Sequence, residues 1–149
     1  MARTFDGVDD QIAFGSEAAI DDIAAFTACA LVRITGNVTD ERQILNKMNS
    51  SYNGAMYLSA TGSGGSNNNK IFSLVTGSAS AYSETVADIL AINTWKVIVA
   101  TWGGGIASDT IKIYSCTLGG TIAEASYNGT PSGVTGRSTD AAATLRVGA

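Results

Sequence analysis

Five aspartates stand near the start of the chain: Asp6, Asp9, Asp10, Asp21 and Asp22, with Arg3 as their local counter-charge. Hard carboxylate oxygens at such density could hold calcium. The same residues serve equally as solvated turns, with Asp9 or Asp10 accepting hydrogen bonds from the nearby backbone. No EF-hand spacing is present, so the turn reading is preferred and no metal ligand is assigned. The chain contains no histidine. That removes every Ser-His-Asp triad, every histidine general base and the usual zinc and non-haem iron sites. Cys29 and Cys116 lie far apart and outside any CxxC spacing, each in an apolar run. Buried free thiols are expected rather than a disulfide or a redox motif. Trp95, Trp102, Tyr52, Tyr57 and Tyr82 could stack on a sugar ring or pack in a core. Trp95 and Trp102 are an odd number of residues apart, so one strand would send them to opposite faces. The segment Thr61 to Gly65, TGSGG, lacks the lysine of a phosphate loop and reads as a plain loop.

The elements that would position these residues are strands. Seventeen glycines, fifteen serines and sixteen threonines against a single proline favour short strands and tight turns. Phe26 to Ile34 reads as a long strand with Phe26, Ala28, Ala30, Val32 and Ile34 on one face. Cys29 and Leu31 opposite them suggest burial on both sides. Arg42 to Met48 places Ile44, Asn46 and Met48 opposite Gln43, Leu45 and Lys47. Further strands are expected at Ala55 to Thr61, Lys70 to Thr76, Trp95 to Trp102 and Thr110 to Cys116. Short ones are expected near Thr4, Ile12, Val86, Ile122 and Leu145. Helical periodicity is weak: Ser16 to Ala25 could be a helix capped by Ser16, or a single turn or loop. The breakers are Thr61 to Asn69, Gly103 to Gly105 and Gly129 to Gly136, each too short for a domain linker. About ten strands at roughly ten-residue spacing indicate an all-β, jelly-roll-type sandwich of two antiparallel sheets.

With 149 residues, 45% hydrophobic and 15% charged, the chain is expected to form one domain over residues 1–149 and to bury a core. Its net charge of −4 argues against nucleic acid as a partner. No stretch of eighteen apolar residues spans a membrane, and the start lacks the apolar region of a signal peptide.

In order, these pieces resemble the laminin-G-like branch of the concanavalin A-like jelly rolls. Phe5-Asp6-Gly7-Val8-Asp9-Asp10-Gln11-Ile12 is similar to that family's F-D-G-x-D-D-x-I start. Phe26 to Val32 resembles its F-T-x-x-x-W-V strand, with Leu31 where the family usually has tryptophan. Arg42 to Lys47 resembles its I-L-x-K strand. Trp95 to Thr101 resembles W-x-x-V-A-x-T. Thr110 to Ser115 resembles the next strand, with Ser115-Cys116 in place of Asn-Gly, and Leu145 to Gly148 resembles L-R-I-G. The family usually continues with two more strands. This chain ends at Ala149, which leads to the expectation of an exposed sheet edge open to pairing.

The resemblance implies a jelly roll and a choice of functions. Related glucanases carry Glu-x-Asp-x-x-Glu, whose carboxylates act across the sugar bond. Here Glu17 with Asp21 and Asp22, or Asp40 with Glu41, lie in expected loops, and Glu84 and Glu124 are isolated. No catalytic residue, cofactor or metal ligand is therefore assigned, and an enzyme is not expected. Small chains beginning on the F-D-G motif resemble bacteriophage structural proteins. The expectation is a virion surface protein, a capsid decoration or head-fibre component. It would form a homo-oligomer, a trimer being one such arrangement, and dock on the major capsid protein. The alternative is a carbohydrate-binding module of an adhesin, using the loop Asn49 to Gly54 or Ser63 to Asn69 on a glycan.

Overall fold

The computed structural model describes residues 4–6, 10–16, 18–48, 54–61, 69–76, 80–86, 89–103, 111–128 and 139–148. Two antiparallel sheets account for nearly all regular structure among them. The strands are β1 (Ile12–Ala13), β2 (Phe26–Val32), β3 (Arg42–Met48), β4 (Gly54–Thr61), β5 (Lys70–Thr76), β6 (Ser80–Glu84), β7 (Lys96–Trp102), β8 (Lys112–Thr117), β9 (Ala123–Glu124) and β10 (Arg146–Val147). One sheet runs β1-β10-β3-β4-β5-β6 and the other β2-β7-β8-β9. The chain is thus an all-β sandwich, as the alternation of apolar and polar residues predicts. Of the strand expected near Thr4, the described residues 4–6 form no part. Residues 16–25 hold one 3-10 turn, Ala18–Ile20, and no longer helix. The Ser16 hydroxyl donates to the Ala141 carbonyl.

The core lies between the sheets. From the smaller sheet come Phe26, Ala28, Ile98, Ala100, Trp102 and Ile113. Leu58, Ala60 and Ile71 face them from the larger one. Cross-strand partners share a face, and the register pairs Phe26 with Trp102 and Ala28 with Ala100. Complete burial of a side chain such as Ile98 is worth about 1.5–3 kcal/mol. Phe26 and Trp102 meet as tilted rings 6.2 Å apart.

Strand β3 departs from simple alternation. Gln43 pairs with Ser59 but Leu45 pairs with Leu58, so Ile44 is an extra residue and β3 is bulged. Ser59 and Leu58 are neighbours and point oppositely. Gln43 therefore does not share a face with Leu45 and Lys47, contrary to the alternation expected for Arg42 to Met48. The bulge turns Leu45 toward the core and carries Lys47 with it.

The last strand, β10, is interior to its sheet, with β1 on one side and β3 on the other. The boundary of that sheet is therefore the two-residue β1, not the late strand. Gly148, just after β10, has φ +74°, and a Cβ there would run into the Phe5 ring and lie 2.9 Å from the Asp10 carbonyl oxygen. Phe5 thus seals the junction between the start of the chain and its last strand. No helix among the described residues is long and apolar enough to cross a membrane.

Candidate functional site

The aspartates do not converge. Asp6 and Asp10 engage each other locally: the Asp6 N–H donates to Asp10 Oδ2 at 3.0 Å. Asp9 lies outside the described residues. Asp21 and Asp22, on the turn before β2, meet two residues that the sequence did not single out, Lys47 and Asp140. Lys47 is fully buried. Its Nζ donates to Asp21 Oδ1 at 2.6 Å and to the Asp140 carbonyl at 3.0 Å, and it lies 3.3 Å from Asp140 Oδ1. Asp22 and Asp140 exchange bonds: the Asp22 N–H donates to Asp140 Oδ1 at 2.9 Å and the Asp140 N–H to Asp22 Oδ1 at 3.1 Å. Thr139 Oγ1 donates to Asp22 Oδ2. Asp22 has φ +50°, a conformation aspartate tolerates better than most residues.

An ammonium thus occupies the space between these carboxylates and ties together three segments distant in sequence. Charge paired and hydrogen-bonded this fully is a structural brace. Among the described residues no group of three or more His, Cys, Asp or Glu side chains is arranged to hold a metal ion. One signal for Lys47 was legible: a lone charge inside the apolar strand Ile44-Leu45-Asn46-Lys47-Met48.

Three further acids among the described residues are also engaged in local contacts. Glu84 accepts from Lys70 Nζ at 3.2 Å and from Asn128 Nδ2 at 2.8 Å. Glu41 accepts from Ser59 Oγ. Glu124 accepts from Tyr127 Oη at 3.0 Å and lies 3.5 Å from Lys112. Tyr127 Oη in turn accepts the Ile113 N–H at 2.9 Å. Burial is the main reason its phenol is pushed up to about 12. The Glu124 carboxylate adds to that rise, and the Ile113 N–H opposes it.

The most distinctive surface is the outer face of the four-stranded sheet. Its register runs in rows across the strands: Leu31, Val97 and Cys116 form one, and Cys29, Val99 and Tyr114 the next. Leu31 is 51% exposed and Cys29 is exposed, so these rows look outward. Outer faces of sandwiches are ordinarily polar, whereas this one is apolar through its middle. Charge lies around this middle, with Glu124 of the edge strand β9 in line with Tyr114 of the second row. Arg33 sits 5.5 Å over the Trp95 ring at one end, and at the other Lys112 pairs with Glu124.

Two sequence expectations are corrected here. Cys29 and Leu31 are not buried, and Cys116 is only partly so, because no strand among the described residues forms a third layer over this face. Both thiols are free. They stand in different rows on strands separated by β7, about 12 Å apart in the sheet plane, beyond the reach of a disulfide. The two tryptophans divide as their spacing predicts. Trp102 is buried in the core, its indole Nε1 without a hydrogen-bond partner, and Trp95 is half-buried beneath Arg33.

Of the loops considered for a glycan, 49–53 and 62–68 lie outside the described residues, as does Tyr52. Tyr57 is buried and Tyr82 exposed. No protein-family model, no curated protein and no solved structure matches the chain.

Proposed function

We propose that this protein is non-enzymatic and works by holding protein surfaces together. More specifically, it is a bacteriophage virion surface protein, a capsid decoration or head-fibre component with a concanavalin A-like jelly-roll topology, whose self-assembled copies bind the major capsid protein. The observation that carries this reading is the apolar middle of the outer face of the four-stranded sheet, with Leu31, Val97, Val99 and Cys29 on it and charge at its rim at Arg33, Lys112 and Glu124. A face of this kind costs solvation when bare and favours a protein-covered state. The engagement of Asp21, Asp22, Asp140, Glu84 and Glu124 in braces adds support, since a hydrolytic site needs carboxylates aimed at a shared open space.

Purified chain should co-sediment with preassembled empty phage shells and saturate at a fixed number of copies per capsomer. A glycan array and polysaccharide retention, with and without calcium, complete the test. Binding to a defined glycan without shell binding would replace this reading with that of a carbohydrate-binding module.

A further inference from the structure

Lys47 and Asp140 are a nucleophile and an acyl group held together away from solvent. Both side chains are wholly buried, and Lys47 Nζ lies 3.3 Å from Asp140 Oδ1. Asp21 Oδ1 accepts from the same Nζ at 2.6 Å, on a side chain that is 17% exposed. Asp140 is fixed from several sides. The Asp22 N–H donates to its Oδ1 at 2.9 Å, its own N–H donates to Asp22 Oδ1 at 3.1 Å, and the Ala143 N–H donates to its carbonyl at 2.7 Å. An ion pair that only braced a fold would need one carboxylate for its ammonium. Here one ammonium has two, and the more buried of them is held by a backbone N–H at the oxygen beside the ammonium.

We propose that this brace is the reactant state of a covalent cross-link: Lys47 Nζ and the Asp140 side-chain carboxyl condense to an isopeptide amide with release of one water. Each group present has a part in that step. Asp21 Oδ1 takes one proton from the ammonium and passes it to Asp140 Oδ2. The Nζ lone pair then attacks Asp140 Cγ, and the carbonyl electron pair moves onto Oδ1, where the Asp22 N–H meets the growing charge. Asp21 carries a second proton from Nζ to the Oδ2 hydroxyl. The Cγ–Oδ2 bond breaks, water leaves, and the pair on Oδ1 re-forms the carbonyl. The third proton stays on the amide nitrogen. Asp21 ends as the carboxylate it was, so no oxidant, reductant or activating group is consumed.

In dilute solution an amine and an acid stay apart, because both charged forms are well solvated and water is in excess. The site reverses each of these. Two reactants held at contact reach effective molarities of about 10⁵–10⁸ M. Burial strips the solvation that favours the separate charges, and a neutral amide relieves both groups of that cost. Asp140 is the acyl partner because it is wholly buried and carries the backbone donor, whereas Asp21 has the short charge-assisted bond that suits proton transfer. The product ties β3 to the segment before β10 across a separation of 93 residues and keeps that loop closed even in the unfolded chain, as a disulfide would. The ion-paired chain coexists with this product until condensation is complete. The cross-link is independent of which partner the protein holds.

The test is the intact mass of the full chain under denaturing conditions, read after purification and again after prolonged incubation of the folded protein. Condensed chains should be lighter than the calculated mass by one water. Trypsin should leave Lys47 uncut in them and yield a branched peptide in which residues 43–70 are joined to residues 138–146. On a denaturing gel they should run ahead of unlinked chains, since a closed loop is more compact. Asp21→Asn keeps both reactants and should slow condensation about 100-fold or more, as loss of a proton carrier does, with circular dichroism verifying its fold. Lys47→Met should show its full calculated mass, and the unaltered chain incubated in urea should gain no link. The calculated mass throughout, with Lys47 cleaved by trypsin, would overturn the proposal. So would a water loss that survives in Lys47→Met or in urea, or an undiminished rate in Asp21→Asn. A branched peptide joining residues 43–70 to residues 4–33 would also overturn it, by making Asp21 the acyl partner.

Discussion

Replacing Lys47 by methionine isolates the contribution of the buried brace. The side chain is similar in length and apolar, so the change removes the charge and three donors while nearly preserving volume. Asp140, whose side chain is wholly buried, would lose its ammonium neighbour at 3.3 Å, and Asp21 its 2.6 Å partner. The Asp140 carbonyl would lose its 3.0 Å donor as well. Removing one member of a buried ion pair costs about 3–5 kcal/mol, because the other charge is left uncompensated. Domain stabilities lie near 5–15 kcal/mol, so Lys47→Met should forfeit about a fifth of the total or more. Urea unfolding followed by tryptophan fluorescence measures this directly. The midpoint should fall with the slope unchanged, since the surface exposed on unfolding is the same. Asp21→Asn, at a partly exposed position, should cost less, about 1.5–3 kcal/mol. The double variant Lys47→Met/Asp140→Asn should recover part of the loss, with a coupling of about 1 kcal/mol or more. A Lys47→Met protein within about 1 kcal/mol of the unaltered chain would refute the reasoning, since exposed ion pairs behave that way.

Trp102→Phe should change stability by no more than about 1 kcal/mol, because the lost ring volume is offset by removing a buried, unpartnered N–H; Trp102→Ala should cost about 3–5 kcal/mol in the same assay. Gly148→Ala should lower the thermal midpoint by several degrees, with the signal read at Phe5 by the loosening of the first residues in hydrogen exchange, because the new Cβ meets both the ring and a positive φ. Tyr127 keeps its proton longer when folded than unfolded, so its share of stability is intact below about pH 10 and is lost as pH rises toward about 12. Denaturation curves across that interval should show the decline, and it should shrink in Tyr127→Phe. Ellman's reagent should titrate both cysteines in the folded monomer, Cys29 ahead of Cys116, because Cys29 is the more exposed thiol.

The strands were legible because period-two alternation is a local property. Arg42 to Met48 and Lys70 to Thr76 coincide with β3 and β5 residue for residue, and the others fall within a few positions, except the one expected near Thr4, which has no counterpart among the described residues. The bulge at Ile44 was not legible. Nothing in Gln43-Ile44-Leu45 marks an extra residue, since a bulge is defined by how the partner strand counts against it. The aspartates were visible as a cluster in sequence, yet their partners come from Lys47 and Asp140, more than a hundred residues past Asp22 in the second case. A charge pair of that separation leaves no trace in local spacing.

By itself the sequence determined the fold class, the exclusion of histidine chemistry and, in strands without a bulge, which side chains share a face, all of which follow from composition and chain geometry. Tertiary structure decided which face looks inward. Strand β2 is apolar on both sides, so alternation alone predicts burial of both. Only the number of layers stacked against it settles that Ala28 is buried and Leu31 is open to solvent. Burial is a property of what packs against a residue, and among the described residues a second layer covers one face of this sheet and no third layer covers the other.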